Sequence, residues 1–502
     1  MSRPRIPVAI AGGGPVGFAL ALGLARNGVR STVFEKAPGP APYARAGVVL
    51  SRTVEIFRSW GLLDAIGAEA HRPDALQVYD ARDDAQLMRL DFSLLRDATL
   101  EPQPLFLPQH RTEAILQAAA EATGLVETRF GEEVVDCWHD AGGVCVALRP
   151  RRGAPQETVR ADFLVGADGA NSTVRTRLGL SLEGETYRTR IVLAVVGIDD
   201  TRDRLPWPRL RFDGDEYLAA LRSARGRWRV IAALAPHETD AEALTHDRIA
   251  AHVRATLGAG PFEIEWASAF NIHRRHASHF AVGRIALAGD SAHLSSPVGG
   301  QGLNGGIADA HNLAWKLSAA LRGGDAMRLL ASYDVERRHA LVTSAGHFSD
   351  ALTKAMLSIP PRRRRAALAF AGWLLRAAPL ARGVLRSGML LDVRYADSPL
   401  FARTGGWIGR RAPDPDLAIL ERAALVLHRL SPLDLPVFDT PLRVQRLAIE
   451  GERAGYWGTR APFAALVRPD GYVGWFGRRP SPATIEREVP RALGFASEPR
   501  DE

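Results

Sequence analysis

The first residues that could bind a ligand form a glycine-rich turn near the start of the chain. The turn reads Gly12-Gly13-Gly14-Pro15-Val16-Gly17, and it lies between a predicted buried strand at residues 7–11 and a predicted helix at residues 19–24. In this order Gly12 allows a tight turn, Gly14 lets backbone N–H groups approach a phosphate, and Gly17 lets the helix pack on the strand. The helix N-terminus adds partial positive charge, so the pattern predicts a pyrophosphate site.

Glu35 extends this pattern. It ends a second predicted strand at residues 31–34 and is followed by Lys36. A carboxylate at this position can accept hydrogen bonds from both hydroxyls of an adenosine ribose. The glycine turn and Glu35 together predict a dinucleotide with an unphosphorylated ribose, and they do not distinguish NAD from FAD.

A second strand-and-glycine pattern surrounds Asp290. A predicted strand at residues 284–288 ends in Gly289-Asp290, and a glycine-rich segment at residues 297–304 leads into a helix that reaches Lys316. A carboxylate at the end of a strand can bind a ribityl hydroxyl, which FAD has and NAD lacks. The glycines let the backbone approach a flat ring, and the helix N-terminus can stabilise negative charge on that ring. Helix capping is the alternative role of Asp290.

A third predicted strand, at residues 162–165, leads into Asp168-Gly169 and then into a helix that begins near Val174. On its own this segment is an Asx-type turn. Three strand-end turns in one chain favour a single dinucleotide held at both ends, and that dinucleotide is FAD.

Length and composition indicate a globular protein of several domains. The 502 residues correspond to two to four domains at about 150 residues each. The hydrophobic fraction of 46% and the charged fraction of 24% are close to the globular average, which excludes a disordered or fibrous chain. Cys137 and Cys145 lack the spacing of a metal site or a disulfide framework, and the N-terminus lacks a secretory signal, so we expect a cytoplasmic protein.

The motifs resemble those of the single-component (class A) flavoprotein monooxygenases with the p-hydroxybenzoate hydroxylase-like fold. The resemblance is strongest to the branch that hydroxylates phenols and aromatic polyketides. The matching segments are Gly12 to Gly17 with Glu35, Arg45-Ala46, Leu107-Pro108-Gln109 with Glu113, Gly166 to Arg175, and Gly289 to Lys316. They span about two thirds of the chain, and their combination is specific.

The resemblance implies which residues hold FAD. The adenosine and pyrophosphate would be held by Gly12, Gly14, Pro15, Val16, Gly17, Glu35 and Lys36. The phosphates and the ribityl region would be reached by Arg45 and Gln109, and the ribityl chain would be bound by Asp290. The isoalloxazine would be contacted by Pro297, Gly300, Gly302, Leu303 and Asn304. Asp168 would lie near the pyrophosphate and the path of NAD(P)H. Arg45 could instead form a surface salt bridge. The flavin is the catalyst, and Arg45 and Pro297 are the candidates for a direct catalytic role beside it.

The resemblance also implies the reaction. With one dinucleotide fingerprint in the chain, NADPH or NADH visits without a Rossmann domain of its own. Reduced flavin then reacts with O₂ to give a C4a-hydroperoxide, whose distal oxygen is transferred to an electron-rich ring. The expected substrate is a phenolic or polycyclic, polyketide-like small molecule.

Two departures from the family pattern keep other reactions open. The family usually has Pro-Pro where this chain has Ser296-Pro297, and Thr, Phe or Ala where it has Val298. These positions line the reactive edge of the flavin. The alternatives are epoxidation or Baeyer–Villiger insertion, a reductase on the same scaffold, and a non-catalytic flavoprotein that shelters an intermediate.

The expected fold class is α/β, with a Rossmann-like FAD-binding domain (GR2 type), an antiparallel substrate sheet and a thioredoxin-like C-terminal domain. The expected bounds are 1–180 for the first part of the FAD domain, with substrate-domain strands near 75–105, then 181–272 for the substrate sheet, 273–398 for the second FAD part and helices, and 399–502 for the tail. Alternating runs at 191–196, 217–221 and 228–234 predict the sheet. Phe212, Tyr217 and Trp228 could line a pocket or belong to the core. The tail has no Cys-x-x-Cys pair, so we expect no disulfide chemistry there.

The remaining features are interpreted as structural. His273, His276, His279 and His293 fit no standard metal cluster, so no metal is expected. The net charge of +8 and the run Arg362 to Arg365 occur without a nucleic-acid-binding motif, so no nucleic acid is expected as a partner. Arginines interrupt the apolar stretch at 366–391, which predicts a packed amphipathic helix and no integral membrane segment. The protein is expected to be a monomer or a homodimer.

Overall fold

The computed structural model describes residues 5–40, 47–150, 156–199, 201–213, 216–235, 237–345, 349–351, 353–354, 359–402, 405–430, 438 and 440–495. The strands are β1 (Ile6–Ala11), β2 (Ser31–Glu35), β3 (Val48–Val49), β4 (Ala75–Asp80), β5 (Gln86–Asp91), β6 (Leu105–Phe106), β7 (Val126–Phe130), β8 (Glu132–Asp140), β9 (Gly143–Pro150), β10 (Glu157–Gly166), β11 (Leu182–Ile198), β12 (Arg209–Asp213), β13 (Glu216–Ala224), β14 (Arg227–Ala233), β15 (Phe262–Ala277), β16 (Ala281–Val282), β17 (Ile285–Leu287), β18 (His293–Leu294), β19 (Ala423–His428), β20 (Val444–Ala448), β21 (Phe463–Val467) and β22 (Val473–Arg478).

The α-helices are α1 (Pro15–Arg26), α2 (Ser51–Ser59), α3 (Leu63–Gly67), α4 (Gln109–Glu121), α5 (Thr173–Arg177), α6 (Asp240–Ala243), α7 (His246–Leu257), α8 (Gln301–Leu321), α9 (Ala326–His339), α10 (Pro361–Leu374), α11 (Ala378–Gly388), α12 (Gly451–Gly455) and α13 (Pro482–Ala492). Short 3₁₀ turns occur at Phe92–Leu95, Arg202–Arg204, Gly289–Ser291 and Leu417–Ile419, and a π-helical turn follows α9 at Ala340–Ala345.

A mainly parallel sheet carries the three predicted strand-end turns. Its order is β16-β17-β10-β1-β2-β7, with β9 pairing β10 and β8 pairing β9. The strands β17, β10, β1, β2 and β7 run parallel, so their carboxyl ends lie at one edge. The turns that begin at Gly12, Ala167 and Ala288 are therefore neighbours, and ligands of open α/β sheets bind at such an edge.

Helices α1 and α8 cover this sheet side by side. Every residue of α1 from Gly17 to Ala25 is buried, because its alanines and leucines pack all round. A Cβ on Gly23 would lie 2.9 Å from the Cβ of Ala314, so glycine lets the two helices approach closely. This packing fixes the N-terminus of α8 relative to the glycine turn that precedes α1.

The second sheet has the order β18-β15-β11-β14-β13-β12-β4-β5 and is antiparallel except for the β4–β12 pair. Helix α7 packs on one face, where Trp228, Val230 and Val253 belong to one buried cluster. The opposite face carries Ile231 and Ala219 in a separate cluster with Leu368 of α10. Side chains alternate along β14, so each strand contributes to both faces.

The C-terminal part contains a mixed four-stranded sheet in the order β20-β19-β21-β22, with β19 parallel to β20 and antiparallel to β21. All six residues of β19 and all five of β21 are buried. The α/β fold class is confirmed by this architecture. The thioredoxin-like identity of this part and the predicted domain bounds stay predictions.

The apolar stretch at 366–391 forms two helices, and the prediction of one amphipathic helix is wrong. Helix α10 ends at Leu374 and α11 begins at Ala378, with Pro379 in its first turn. Proline has no N–H to donate to the carbonyl four residues earlier and its ring clashes with that carbonyl, so it is tolerated in the first turn of α11 but does not allow α10 to continue through it. Among the described residues no single helix is both long enough and apolar enough to cross a bilayer. The segments 363–374 and 378–388 meet the length and hydropathy requirements only when they are taken together, and they are bent by 111° relative to each other.

Candidate functional site

The glycine turn before α1 contains two glycines required by packing and one that opens onto free space. Gly12 has a φ of +106°, and a Cβ there would overlap the carbonyl of Ala167; a Cβ on Gly17 would overlap the carbonyl of Gly12. Nothing lies within 4 Å of a Cβ placed on Gly14, which is the N-cap of α1 and has no side-chain cap. Backbone N–H groups at this helix end can therefore receive an anion.

Glu35 is joined to this turn. Its Oε2 accepts a hydrogen bond from the Gly13 N–H at 2.7 Å, and its Oε1 accepts one from the Ala37 N–H at 2.8 Å. The carboxylate therefore lies beside the glycine turn at the end of β2, where the sequence placed it. The neighbouring Lys36 is exposed.

Val16 connects the two halves of the predicted site. A Cβ on Gly289 would lie 2.9 Å from Val16 Cγ2, and a Cβ on Gly306 of α8 would contact the same methyl group even more closely. The start of α1, the turn after β17 and the first turns of α8 are thus packed together. Segments nearly 300 residues apart in sequence form one site.

The Asp168 carboxylate is saturated by protein donors. It accepts hydrogen bonds from Ser172 Oγ at 2.6 Å, Thr173 N at 2.7 Å, Val174 N at 3.2 Å and Ser291 Oγ at 3.0 Å. It therefore caps α5 and ties this turn to the residue after Asp290. Asp290 itself is exposed in the 3₁₀ turn between β17 and β18.

The segment before α8 makes a tight left-handed turn. Gly299 and Gly300 have φ values of +86° and +68°, and Gly300 N donates to the carbonyl of Pro297 at 3.0 Å. A Cβ on Gly300 would overlap Val48 of β3, whereas nothing lies within 4 Å of a Cβ on Gly302. Pro297 is exposed beside this turn. Gly302 thus leaves open space at the helix start.

Asn304 has a structural partner that the sequence did not reveal. Its Nδ2 donates to the carbonyls of Val48 at 3.0 Å and Gly300 at 2.6 Å, and its Oδ1 accepts from Leu50 N at 2.8 Å. The side chain fixes β3 against the start of α8. Leu303, next to it, is half-buried against the main core.

Of the two remaining predicted residues, Gln109 is half-buried at the first position of α4, next to β6, which pairs with β3. Arg45 lies outside the described residues. The cofactor contacts assigned to both stay predictions.

Gln301 is a candidate site residue that lies in the predicted glycine-rich segment but was not assigned a role from the sequence. It begins α8, is 2% exposed, and neither its Oε1 nor its Nε2 has a hydrogen-bond partner among the described residues. A buried amide without partners is costly, which indicates that a ligand completes its hydrogen bonds. The position of Gln301 inside the Gly-Gly-Gln-Gly segment was the sequence feature that could have indicated a role in ligand binding.

Arg229 on β14 is a second residue that sequence reasoning missed. A Cβ on Gly47, next to β3, would overlap its guanidinium. Burial lowers the pKa of Arg229 to about 10. A half-buried positive charge therefore lies where the antiparallel sheet meets β3. Alternation along a strand does not distinguish an arginine of this kind from an exposed one.

Of the aromatic candidates, Trp228 is core and does not line a pocket, since it is fully buried under α7 and donates to Asp203 at 3.1 Å. Tyr217 packs beside the Val78 and Ala219 cluster on the opposite face. The side chain of Phe212 lies outside the described residues.

A cavity of about 290 Å³ lies where the ends of β11 and β15 meet β18. It is lined by Tyr187, Arg274, Arg275, His293, Ser296 and Asp350, among others. His293 is oriented by Asp309, whose Oδ2 lies 2.7 Å from its Nε2, and Arg337 holds the other oxygen of Asp309 at 2.7 Å. In the part of the chain that the structure describes, no three His, Cys, Asp or Glu side chains could hold a metal ion.

The family described as FAD binding domain matches residues 5–345. The chain belongs to this family. It is 36% identical over 407 residues to a 6-methylpretetramide 4-monooxygenase of Streptomyces rimosus, covering 79% of this chain and 71% of the relative. It is 32% identical over 502 residues to a 12-dehydrotetracycline 5-monooxygenase/anhydrotetracycline 6-monooxygenase of Streptomyces rimosus subsp. rimosus, covering 94% and 95%. The solved structure of the anhydrotetracycline hydroxylase from Streptomyces rimosus superimposes with a TM-score of 0.75 at 30% identity over 98% of both chains.

This FAD-binding family member is therefore an FAD-dependent monooxygenase, which confirms the family, the cofactor and the enzyme class predicted from the sequence. The residues present fit the cofactor. Gly14 and Gly302 leave open space at two helix N-termini without side-chain caps, and Gln301 offers a buried amide that lacks partners among the described residues.

Proposed function

We propose that this monooxygenase hydroxylates a phenolic or polycyclic aromatic small molecule of the polyketide type, with NADPH or NADH and O₂ as co-substrates. The observation that carries the proposal is the family match over residues 5–345, together with the two open helix ends at one edge of the sheet. The relatives' names support the substrate class, because they give 6-methylpretetramide, 12-dehydrotetracycline and anhydrotetracycline as the compounds that are oxygenated.

The residues of the chain divide between holding FAD and enclosing the substrate. In the proposal, Gly14 and Glu35 bind the adenosine and pyrophosphate half, Asp290 binds the ribityl chain, and Gly302 and Gln301 meet the ring system. Bound FAD supplies the redox chemistry, taking a hydride from the nicotinamide and activating O₂. The protein orients the substrate and keeps water out.

The substrate wall is proposed to be the apolar face of the antiparallel sheet that faces away from α7. Ala219, Leu221 and Ile231 form this face together with Leu368 of α10. Arg229 lies two residues before Ile231 on β14, and therefore on the same face. Its half-buried charge favours an ionised phenol or enol oxygen on the substrate, since a positive charge in a partly desolvated site stabilises an anion.

Mass spectrometry of products formed under isotopically labelled O₂, with a panel of phenols and quinones, tests the proposal. We expect NADPH oxidation to rise with substrate and the product to gain one labelled oxygen. A product without label identifies a reductase. A protein that turns over neither NADPH nor substrate under any condition is the sheltering flavoprotein, and either result contradicts the proposal.

A substitution at Asp290 tests the assignment of this residue to the cofactor. Asp290→Ala is expected to purify largely free of flavin, because the carboxylate at the end of β17 is assigned to the ribityl hydroxyls. Asp247→Ala removes a fully exposed carboxylate on α7 and is expected to purify yellow. Full flavin occupancy in Asp290→Ala, measured from the visible absorbance of the purified protein, would refute the assignment.

A further inference from the structure

The two helices α10 and α11 expose an apolar surface that the proposed function does not use. Five of the nine large hydrophobic side chains exposed in the described part of the chain lie within fifteen residues of each other: Phe370 (60% exposed), Trp373 (59%), Leu374 (41%), Leu380 (53%) and Val384 (37%). The rings of Phe370 and Trp373 are stacked with centroids 5.8 Å apart. We call these five residues the apolar ridge. Soluble surfaces rarely gather so much exposed apolar area without a partner.

The ridge points away from the protein. A Cβ on Gly372 would overlap the backbone carbonyl of Leu87, so this side of α10 is pressed against β5. At 100° per residue, Phe370 and Leu374 lie about 160° from Gly372 around the helix, on the opposite side. Helix α11 is anchored in the same way, since Ala381 and Leu385 are buried in a cluster with Phe92 and Leu95. Both helices are therefore fixed to the protein with an apolar side facing outward.

The charged residues within the segment that carries the ridge are all positive. From residue 351 to residue 391 the sequence contains no Asp or Glu, one Lys and seven Arg. Arg365, Arg382 and Arg386 pair with Asp83, Asp97 and Asp392 from outside this segment.

Two further arginines remain available to a partner. Arg363 and Arg376 are exposed and have no ion pair among the described residues. They lie at the two ends of α10, on either side of Phe370 and Trp373. The ridge is thus flanked by uncompensated positive charge.

We propose that the apolar ridge, with Arg363 and Arg376, binds the surface of an anionic lipid bilayer. Stacked Trp and Phe side chains beside arginines are suited to the boundary between acyl chains and headgroups, and the arginines attract anionic lipids. A second copy of the chain fits less well. Its net charge is +8, and a symmetric contact through the ridge would bring the same arginines together.

Flotation of the FAD-loaded full chain with vesicles tests this inference. One set of vesicles is phosphatidylcholine alone, and in the other about a third of the lipid is phosphatidylglycerol. We expect binding to the anionic vesicles only, weakened by added salt. Phe370→Ser with Trp373→Ser is expected to reduce vesicle-bound protein at least about tenfold, and Arg376→Glu several-fold.

Matched control variants distinguish binding through the ridge from nonspecific binding of the protein to vesicles. Trp138→Ser removes a Trp that is 44% exposed on β8, and Arg225→Glu reverses an exposed arginine in the turn between β13 and β14. Both are expected to bind like the parent chain. NADPH oxidation without vesicles checks that each variant is folded, because none of these residues belongs to the cofactor or substrate machinery.

Three outcomes overturn the inference. One is no binding to anionic vesicles. Another is equal binding by the Phe370/Trp373 variant and the parent. The third combines two observations: the parent chain does not bind vesicles, and light scattering shows that the parent is a dimer whereas the Phe370/Trp373 variant is a monomer. The ridge is then an interface between copies of the chain. None of these results bears on whether the enzyme hydroxylates an aromatic ring.

Discussion

Two buried amides, three residues apart at the start of α8, have opposite hydrogen-bonding states. Asn304 makes three hydrogen bonds, to Val48, Leu50 and Gly300. Both polar atoms of Gln301 lack partners among the described residues. Asn304 therefore stabilises the protein itself, whereas Gln301 is available to a ligand.

Replacement of each amide by leucine should separate these roles. Gln301→Leu is expected to leave the free energy of unfolding of the apoprotein unchanged or to raise it by up to about 2 kcal/mol, because no hydrogen bond is lost and an unpaired buried amide is removed, and to weaken FAD binding about tenfold. Asn304→Leu is expected to lower the unfolding free energy by about 2–4 kcal/mol. Urea unfolding of apoprotein and flavin titration measure the two quantities. Unchanged FAD affinity in Gln301→Leu would show that the amide does not meet the flavin.

His311 gives the protein a specific acid sensitivity. Burial, followed by the charge of Arg52, lowers the pKa of His311 to about 3 from its ordinary 6.5. Its ring meets Trp60 edge-on at 5.7 Å. The folded state therefore keeps a neutral imidazole, while the unfolded chain takes up a proton below pH 6.5.

The sign of the pH effect follows from these values. Because the unfolded state binds more protons between pH 6.5 and 3, stability is lost as pH falls through that window. At about pH 5 the loss due to this group is about 1–2 kcal/mol. His311→Gln should remove this part of the slope. The difference in unfolding free energy between parent and variant, measured in urea at neutral pH and at about pH 5, should change by that amount; a constant difference would contradict the assignment.

At the scale of elements, the glycines on either side of Gln301 have different reasons for being glycine. Gly300 has a φ of +68° and no room for a Cβ beside Val48. Gly302 lies in the first turn of α8, and open space surrounds its Cα hydrogens. Gly300 is therefore required by the fold of the apoprotein. Gly302 is required by the ligand that is proposed to occupy the open space.

Alanine at these two positions should have opposite effects on the apoprotein. Gly300→Ala combines left-handed strain with a clash against β3 and is expected to cost at least about 2 kcal/mol. Gly302→Ala is expected to leave apoprotein stability unchanged or raise it by up to about 1 kcal/mol, and to weaken FAD binding, because the methyl group enters the open space. Thermal unfolding with and without FAD measures both. An FAD affinity of Gly302→Ala equal to that of the parent would mean that the space is not part of the cofactor site.

The elements that the sequence predicted correctly are those whose signal is local. The order strand, glycine turn and helix at residues 6–26 occupies one short stretch, and β17 followed by α8 does the same. Two of the three partners of Asn304 lie 254 and 256 positions away, directly after and within a two-residue strand that has no sequence pattern of its own. No local periodicity could have assigned that contact, so the amide was expected to meet the flavin.

The outer side of α10 and α11 shows the same limit. Composition alone suggested one packed helix at 366–391. The break between the two helices could have been predicted from the sequence, because Pro379 is a local signal. Which side is buried depends on Gly372 meeting Leu87, and Leu87 belongs to a strand almost 300 residues earlier. The exposure of Phe370 and Trp373 could therefore be known only from the structure.

At the scale of the whole molecule, a buried ionic network joins the C-terminal sheet to the FAD-binding part. Arg468, after β21, bonds Glu336 of α9 at 2.7 and 2.8 Å and Asp470 at 2.6 Å. Lys316 of α8 reaches the same glutamate at 2.8 Å, and Asn312 donates to Asp470 at 2.8 Å. The four charged groups are at most 1% exposed.

The network holds two negative and two positive charges, so its members depend on one another. Burial lowers the pKa of Lys316 to about 8 despite the opposing effect of Glu336, which shows how much solvation the pocket removes. The neighbouring Arg468 and Lys316 hold the pKa of Glu336 well below its usual range against the effect of burial. Taking one partner away leaves an uncompensated charge in the interior.

Removing Arg468 should therefore loosen the C-terminal sheet from the rest of the protein. Arg468→Met is expected to lower the free energy of unfolding by about 3–5 kcal/mol, and Arg468→Lys by less, since it keeps the charge but loses the two-pronged hydrogen bonding. Arg89→Met, which breaks a pair with Asp91 on β5 that is exposed on both sides, is expected to cost less than about 1 kcal/mol. Urea unfolding gives the energies, and hydrogen exchange along β19 and β21 locates the loss. If Arg468→Met unfolds like Arg89→Met, or if exchange rises in the parallel sheet and not in β19 and β21, the network does not hold the C-terminal part in place.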